Sequence, residues 1–274
     1  SAIITTLIRD SLGSKEIMNE TFYNDTLRVI LDGSTVEDLI NNIESYSDLI
    51  SVVSYINGEG SQTQGVLSEM YSVVKEIFIG VFSERGAFSI RDFVRSKGGK
   101  TLFIEYDLSI GSILSPIYSL LFDLALKEAL GQSSNRKGNV YLICDEFRLL
   151  PNLKHIDDGV NFGRSLGVKV FAGLQSINQL IEVYGEARGK NIAAGFSSVY
   201  AFRANDTATR KFVIDLYGQN YILDHYSSVD KKYMEDKRQG NTVEDWDMMS
   251  LNVGEAIVGL PFSKPFRFQF ANFK

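Results

Sequence analysis

Two carboxylates and an amide are the groups in this sequence best placed to do chemistry. Asp145 and Glu146 follow directly on Val140-Tyr-Leu-Ile-Cys144, a short apolar run preceded by the polar stretch 135–139. A continuous apolar run of this length reads as a strand buried on both faces. Two carboxylates buried at its end are costly without partners. Ending the strand at the rim of a parallel sheet, where ligands bind, avoids that cost. An acidic pair at such a rim is the Walker B arrangement of nucleotide-hydrolysing motors. Asp145 would hold Mg²⁺, directly or through water, and Glu146 would polarise the attacking water. The plainer alternative is a strand followed by an acidic turn, with its carboxylates near a helix dipole.

Gln175 closes the next apolar strand, Val168-Lys-Val-Phe-Ala-Gly173 with Leu174. An amide at that tip is placed to touch a γ-phosphate and sense hydrolysis; otherwise it is a surface amide in a strand-to-helix turn. Arg164, in Phe162-Gly-Arg-Ser-Leu-Gly167, falls at the end of the preceding helix. It reads either as a capping cation on a helix C-terminus or as an arginine finger for a neighbouring subunit's nucleotide, which would require a ring. Arg203 ends a later strand on the same rim, where it would approach nucleotide or a subunit interface, or form a surface salt bridge.

These residues need elements to hold them. From Phe88 onward the pattern alternates: a short helix over 88–93, a turn at 97–100, and strands over 101–106, 140–144, 168–173 and 197–203. Helices over 112–130, 154–166, 176–184, 190–194 and 206–218 lie between them, with Pro116 in the first turn of its helix, where proline is tolerated, and Asp206 capping the last. Alternation of strand and helix is the signature of a doubly wound, mostly parallel α/β sheet. Residues 254–260 and 266–270, with Pro261 and Pro265 between them, read as an antiparallel edge pair, and the charged stretch 224–247 as a mobile surface loop. Residues 1–85 carry helical spacing throughout and no proline, one apolar stripe running through Ile17, Phe22, Leu27, Ile30 and Leu31. Ser34-Thr-Val-Glu37 reads as a capping box, Gly58-Glu-Gly60 as a break, and 61–78 as a long helix. The expected organisation is therefore an all-helical domain over 1–85 and an α/β domain over 86–274.

Composition excludes several classes. The chain has 274 residues, 44% hydrophobic and 23% charged, with a formal net charge of −6. It is no polycation made to coat nucleic acid. Cys144 is the single cysteine, so no internal disulfide forms and it reads as a small core residue. The two histidines, His155 and His225, lack metal-ligand spacing. No window of about 18 uncharged apolar residues exists. Charge is divided unevenly: residues 1–85 hold 5 basic and 13 acidic side chains, the remainder 23 and 21. The acidic helical part is either a solvated face or a docking surface for a basic protein; phosphate contacts would need Lys and Arg.

The ordered set Asp145-Glu-Phe147, Phe162-Gly-Arg-Ser-Leu-Gly167, Ala172-Gly-Leu-Gln-Ser176, Gln179-Leu180 and Tyr184-Gly185 resembles the conjugative coupling proteins. These are the TraG/TraD-type ATPases of type IV secretion, relatives of the FtsK/HerA pumps. Asp206-Thr-Ala-Thr209, Gly218, Gly254-Glu-Ala-Ile-Val258 and Lys264-Pro-Phe266 match the same pattern. The resemblance implies a RecA-like motor fold with an inserted all-helical substrate-selecting domain, and ATP and Mg as cofactors. It also implies a membrane-anchored homo-hexamer with cytoplasmic motor domains. Such a ring would pump single-stranded DNA with its attached relaxase, or effector proteins, into the secretion channel. One departure stands out: no G-x-x-x-x-G-K-[ST] occurs in the chain. With a start on Ser1 rather than Met, the expectation is a piece lacking the phosphate loop and membrane segments, inactive alone. A non-catalytic adaptor that recruits basic secretion substrates is the alternative.

Overall fold

Apolar residues three and four apart make the N-terminal part helical. The computed structural model describes residues 2–11, 24–58, 60–96, 99–132, 138–227 and 233–271. The chain divides into two compact units, Ser1–Phe88 with Asp107–Leu114, and Ser89–Tyr106 with Ser115–Lys274. The first unit contains α1 (Ala2–Ser11), α2 (Asn24–Gly33), α3 (Val36–Glu44), α4 (Ile50–Val53) and α5 (Ser61–Ile77). Helix α3 shows why these segments fold. Thr35 Oγ1 accepts from the Asp38 amide while Asp38 accepts from the Thr35 amide at 2.8 Å, closing a capping box. The box lies one residue later than Ser34–Glu37, because Thr35–Asp38 offers the same spacing. Leu39 and Ile43, one turn apart, then point into a core shared with Leu27, Leu31, Val53 and Leu67. Each contributes about 1.5–3 kcal/mol by burial. The expected stripe through Ile17 and Phe22, residues 97–98 of the turn and most of the 131–138 loop lie outside the described residues.

The second unit begins with α6 (Ile90–Ser96) and takes in α7 (Gly111–Leu130) from Ser115 onward. Pro116 falls in the second turn of α7, not the first, since the helix starts at Gly111. Strand β1 (Val140–Cys144) pairs in parallel with β2 (Val168–Ala172), Val140 opposite Val168 through Cys144 opposite Ala172. Between them runs α8 (Ile156–Phe162), followed by a 3₁₀ turn at Gly163–Leu166. After β2 come α9 (Ile177–Tyr184) and α10 (Glu186–Gly195). The core gathers Leu126 and Ala129 of α7 with Phe147, Leu153, Ile156, Leu180 and Ile192. Val140, Leu142 and Cys144 pack against it, while Tyr141 and Ile143 are 59% and 73% exposed. The two-sided burial expected of β1 is therefore one-sided, because among the described residues nothing covers the second face.

Strand β3 (Val199–Ala201) does not extend that parallel pair. After α11 (Thr207–Tyr217), a hairpin of β4 (Gln219–Ser227) and β5 (Tyr233–Asn241), and α12 (Asp245–Met249), the chain forms β6 (Glu255–Gly259) and β7 (Phe266–Gln269). These make an antiparallel sheet in the order β3-β6-β7. The expected C-terminal antiparallel pair is present, but β6 is the central strand and β3 and β7 are the edges. Two further expectations fail. Residues 101–106 are irregular, with Phe103 89% exposed, because no described strand stands beside them to share hydrogen bonds. In the stretch read as a mobile loop, the described residues form the paired strands β4 and β5 and the start of α12; residues 228–232 lie outside the described residues. Charges of this stretch pair across the strands, Arg238 Nε to Asp224 Oδ2 at 2.6 Å and Lys237 over the Tyr221 ring at 4.3 Å.

Candidate functional site

The tips of β1 and β2 are drawn together by one glycine. Gly173 N donates to Cys144 O at 2.8 Å, and Phe147 N donates to Gly173 O at 2.9 Å, so the pairing continues one step past the strands. A Cβ on Gly173 would overlap the Asp145 carbonyl oxygen and stand 2.9 Å from its carbon. Only glycine permits this approach. It places Asp145 and Glu146 beside the segment that carries Gln175. Gln175 Nε2 donates to Glu146 Oε2 at 2.7 Å, a charge-assisted bond between residues 29 positions apart.

The two acids differ in setting. Asp145 is exposed. Glu146 is half-buried, and its Oε1 is buried without a hydrogen-bond partner. Arg148 Nε stands 3.4 Å from Oε1 and forms an ion pair with it without hydrogen-bond geometry. Below Glu146 the chain is anchored: Phe147 is 1% exposed and stacks on Tyr184 at 5.8 Å between centroids. Tyr184 Oη donates to Leu150 O at 2.6 Å, and burial pushes its hydroxyl up to about 12. Burial likewise raises the Cys144 thiol to about 11, keeping it a protonated core group.

The backbone after Gln175 is held by its neighbours. Gln175 N donates to Gln179 Oε1 at 3.2 Å, and Ser176 caps α9. Ser176 Oγ also donates to Asp206 Oδ1 at 3.1 Å, and Thr209 Oγ1 accepts from Ile177 N at 3.0 Å. Sequence reading placed Asp206 as the cap of α11 but missed this cross-link. The same is true of the His155–Asp123 pair, 2.8 Å apart, and of Arg188 bound to Asp157 and Leu153 O. Helix caps leave a sequence signal; contacts between residues some 30 positions apart leave none.

Arg164 is elsewhere. It lies exposed in the 3₁₀ turn before β2, at the strand end opposite Gln175. Five strand residues separate the ends by roughly 13 Å. Its side chain forms no hydrogen bond or ion pair among the described residues. Arg203 is also exposed, just past β3.

With this geometry in hand, comparison with known proteins is informative. The family profile for the type IV secretion-system coupling protein DNA-binding domain matches residues 15–250. The chain belongs to this coupling protein family. It is 27% identical over 141 residues to the coupling protein TraD of Escherichia coli (strain K12), covering 50% of the chain and 20% of TraD. The bacterial conjugative coupling protein TrwBdeltaN70 in its unbound monoclinic form superposes with a TM-score of 0.73 at 24% identity, over 89% of this chain and 56% of that one. The plasmid coupling protein TrwB in complex with ADP and Mg²⁺ gives 0.71 at 24% identity, over 92% and 59%. These likenesses establish a mixed helix and strand fold with a parallel pairing, shared with TrwB. The chain thus spans little more than half of the matched TrwB chains, and a fifth of TraD.

Proposed function

We propose that this chain carries the hydrolytic acids of a RecA-like, ATP-driven coupling protein of conjugative transfer. The carrying observation is the Gln175–Glu146 hydrogen bond, which joins the groups at the tips of β1 and β2. A half-buried carboxylate fixed by Gln175 on one oxygen and facing the Arg148 guanidinium on the other is held in one orientation, which suits a group that must orient water. The residues fit the metal-facing side of an ATP·Mg site: Asp145 is an exposed carboxylate within one residue of Glu146. ATP with Mg²⁺, when bound, supplies the transferable phosphoryl and neutralises its charge. Asp145 would hold the cation, Glu146 would accept a proton from the attacking water, and Gln175 would fix the Glu146 rotamer and sense the γ-phosphate. The phosphate grip of such a motor is not recognisable among these 274 residues, since no G-x-x-x-x-G-K-[ST] occurs. Other polypeptide would supply it.

Arg164, exposed and unengaged, suits an arginine finger acting on a neighbouring copy, and so a ring, by family likeness a homo-hexamer. Residues 1–85, with 13 acidic against 5 basic side chains, suit an all-helical domain that docks a basic protein substrate such as a relaxase. Residues 86–274 would then form the motor part, moving DNA toward the secretion channel. Among the described residues no helix is long and apolar enough to cross a membrane, so membrane association would rest on other segments.

The test uses a protein in which this chain is joined to a phosphate loop. Glu146→Gln should abolish ATP hydrolysis, a loss of about 10²-fold or more, while nucleotide binding persists. Turnover equal to the unmutated protein would remove Glu146 from the mechanism. The 274-residue chain alone should show no hydrolysis above background.

A further inference from the structure

Gln175 is reached from a backbone that two helix N-termini hold jointly. The first amide of α9, Ile177 N, has no acceptor within its own helix. Thr209, three residues past the cap of α11, accepts that bond at 3.0 Å. In return Ser176, the cap of α9, donates to Asp206, the cap of α11, at 3.1 Å. Asp206 Oδ1 also accepts from Thr209 N at 2.8 Å, and Thr209 Oγ1 lies 3.4 Å from Ser176 Oγ. Each helix therefore caps the other. Burial works to raise the Asp206 carboxyl, but the Thr209 and Ser176 hydrogen bonds together outweigh it and hold it below the usual carboxylate range.

We infer that Thr209 and Asp206 are positioning residues for Gln175, fixing residues 176–177 so that the Gln175 amide reaches Glu146. This rests on the reading of Glu146 and Gln175 as the hydrolytic pair. The brace has a second arm. Arg210, next in α11, binds Asp245 at 2.7 Å and the Asn205 carbonyl at 2.7 Å. Through it the position of α11 is set by α12 and by the turn after β3. A displacement of α11 would consequently be felt at Gln175, some 30 residues away in sequence.

The test compares Thr209→Val with Thr209→Ser. Valine keeps the side-chain volume and the amide bond to Asp206 but removes Oγ1; serine restores it. In the 274-residue chain, nuclear magnetic resonance of the Gln175 side-chain amide should show a hydrogen-bonded shift that Thr209→Val abolishes and Thr209→Ser retains. An unchanged Gln175 signal in folded Thr209→Val overturns the proposal. Loss of that signal in both variants overturns it too, since volume rather than the hydroxyl would then matter. If Thr209→Val does not fold, Ser176→Ala is read in the same way. In the protein joined to a phosphate loop, Thr209→Val should lower kcat by about a hundredfold at unchanged KM, the cost of a misplacement of ~1 Å. Unchanged kcat overturns the positioning role alone, whereas unchanged turnover in Glu146→Gln overturns the hydrolytic reading itself.

Discussion

The two ends of β2 contrast sharply. At its C-terminal end, Gly173, Gln175, Ser176 and Ile177 are tied by hydrogen bonds to β1, to Glu146 and to α11. At its N-terminal end, Arg164 stands exposed in a 3₁₀ turn, with no side-chain partner among the described residues. One end is a site whose geometry the chain supplies for itself. The other presents an exposed charge that no described side chain engages. A hydrogen-bonded site tolerates little change in its own fold, while an unengaged cation is free to change without affecting stability.

The largest contrast should appear at Arg164. In an assembled ring bearing a phosphate loop, Arg164→Ala should lower hydrolysis by about a thousandfold, the scale of an arginine finger. Its unfolding free energy should stay within about 0.5 kcal/mol. Hydrolysis at the normal rate would leave Arg164 a surface residue. At the other end, Gly173→Ala should cost about 3 kcal/mol in urea denaturation, because the added Cβ forces the β1 and β2 tips apart. An unchanged midpoint would mean that the tips do not approach as closely as described. Gln175→Ala should be milder, about 1 kcal/mol for one hydrogen bond to a partly exposed carboxylate. A neutral result would imply that Glu146 finds water as readily as Gln175.

The smallest effect concerns acid. The folded Asp206 carboxyl lies below its ordinary range, so its contribution is fully present above the unfolded value of about 3.9 and is lost as pH falls through the folded value. The stability difference between the unmutated chain and Asp206→Ala should therefore be constant from pH 7 to about 5 and shrink below about 4. A difference that persists in strong acid would show that the carboxylate charge plays no part in the brace.

Much of this was legible in the residue order. The helices over α3, α5, α7 and α11 follow from apolar spacing and from caps such as Asp206, which act within a few residues. Strands β1 and β2 follow from apolar runs. The stretch 101–106 has the same composition as a strand but forms none, since a strand requires a neighbour and propensity alone does not provide one. The hairpin at 219–241 was hidden for the converse reason: its charges resemble a loop until they pair across strands.

Local chemistry therefore picked out the candidate residues: the acids after β1, the glutamine after β2 and the cap of α11, together with the absence of a G-x-x-x-x-G-K-[ST] motif. The three-dimensional packing decided which of them meet. That Gln175 bonds Glu146 and that Thr209 caps a helix other than its own depend on contacts spanning about 30 residues. Such contacts are set by how closely backbones pack, here by a glycine without a side chain, and short-range spacing carries no record of them.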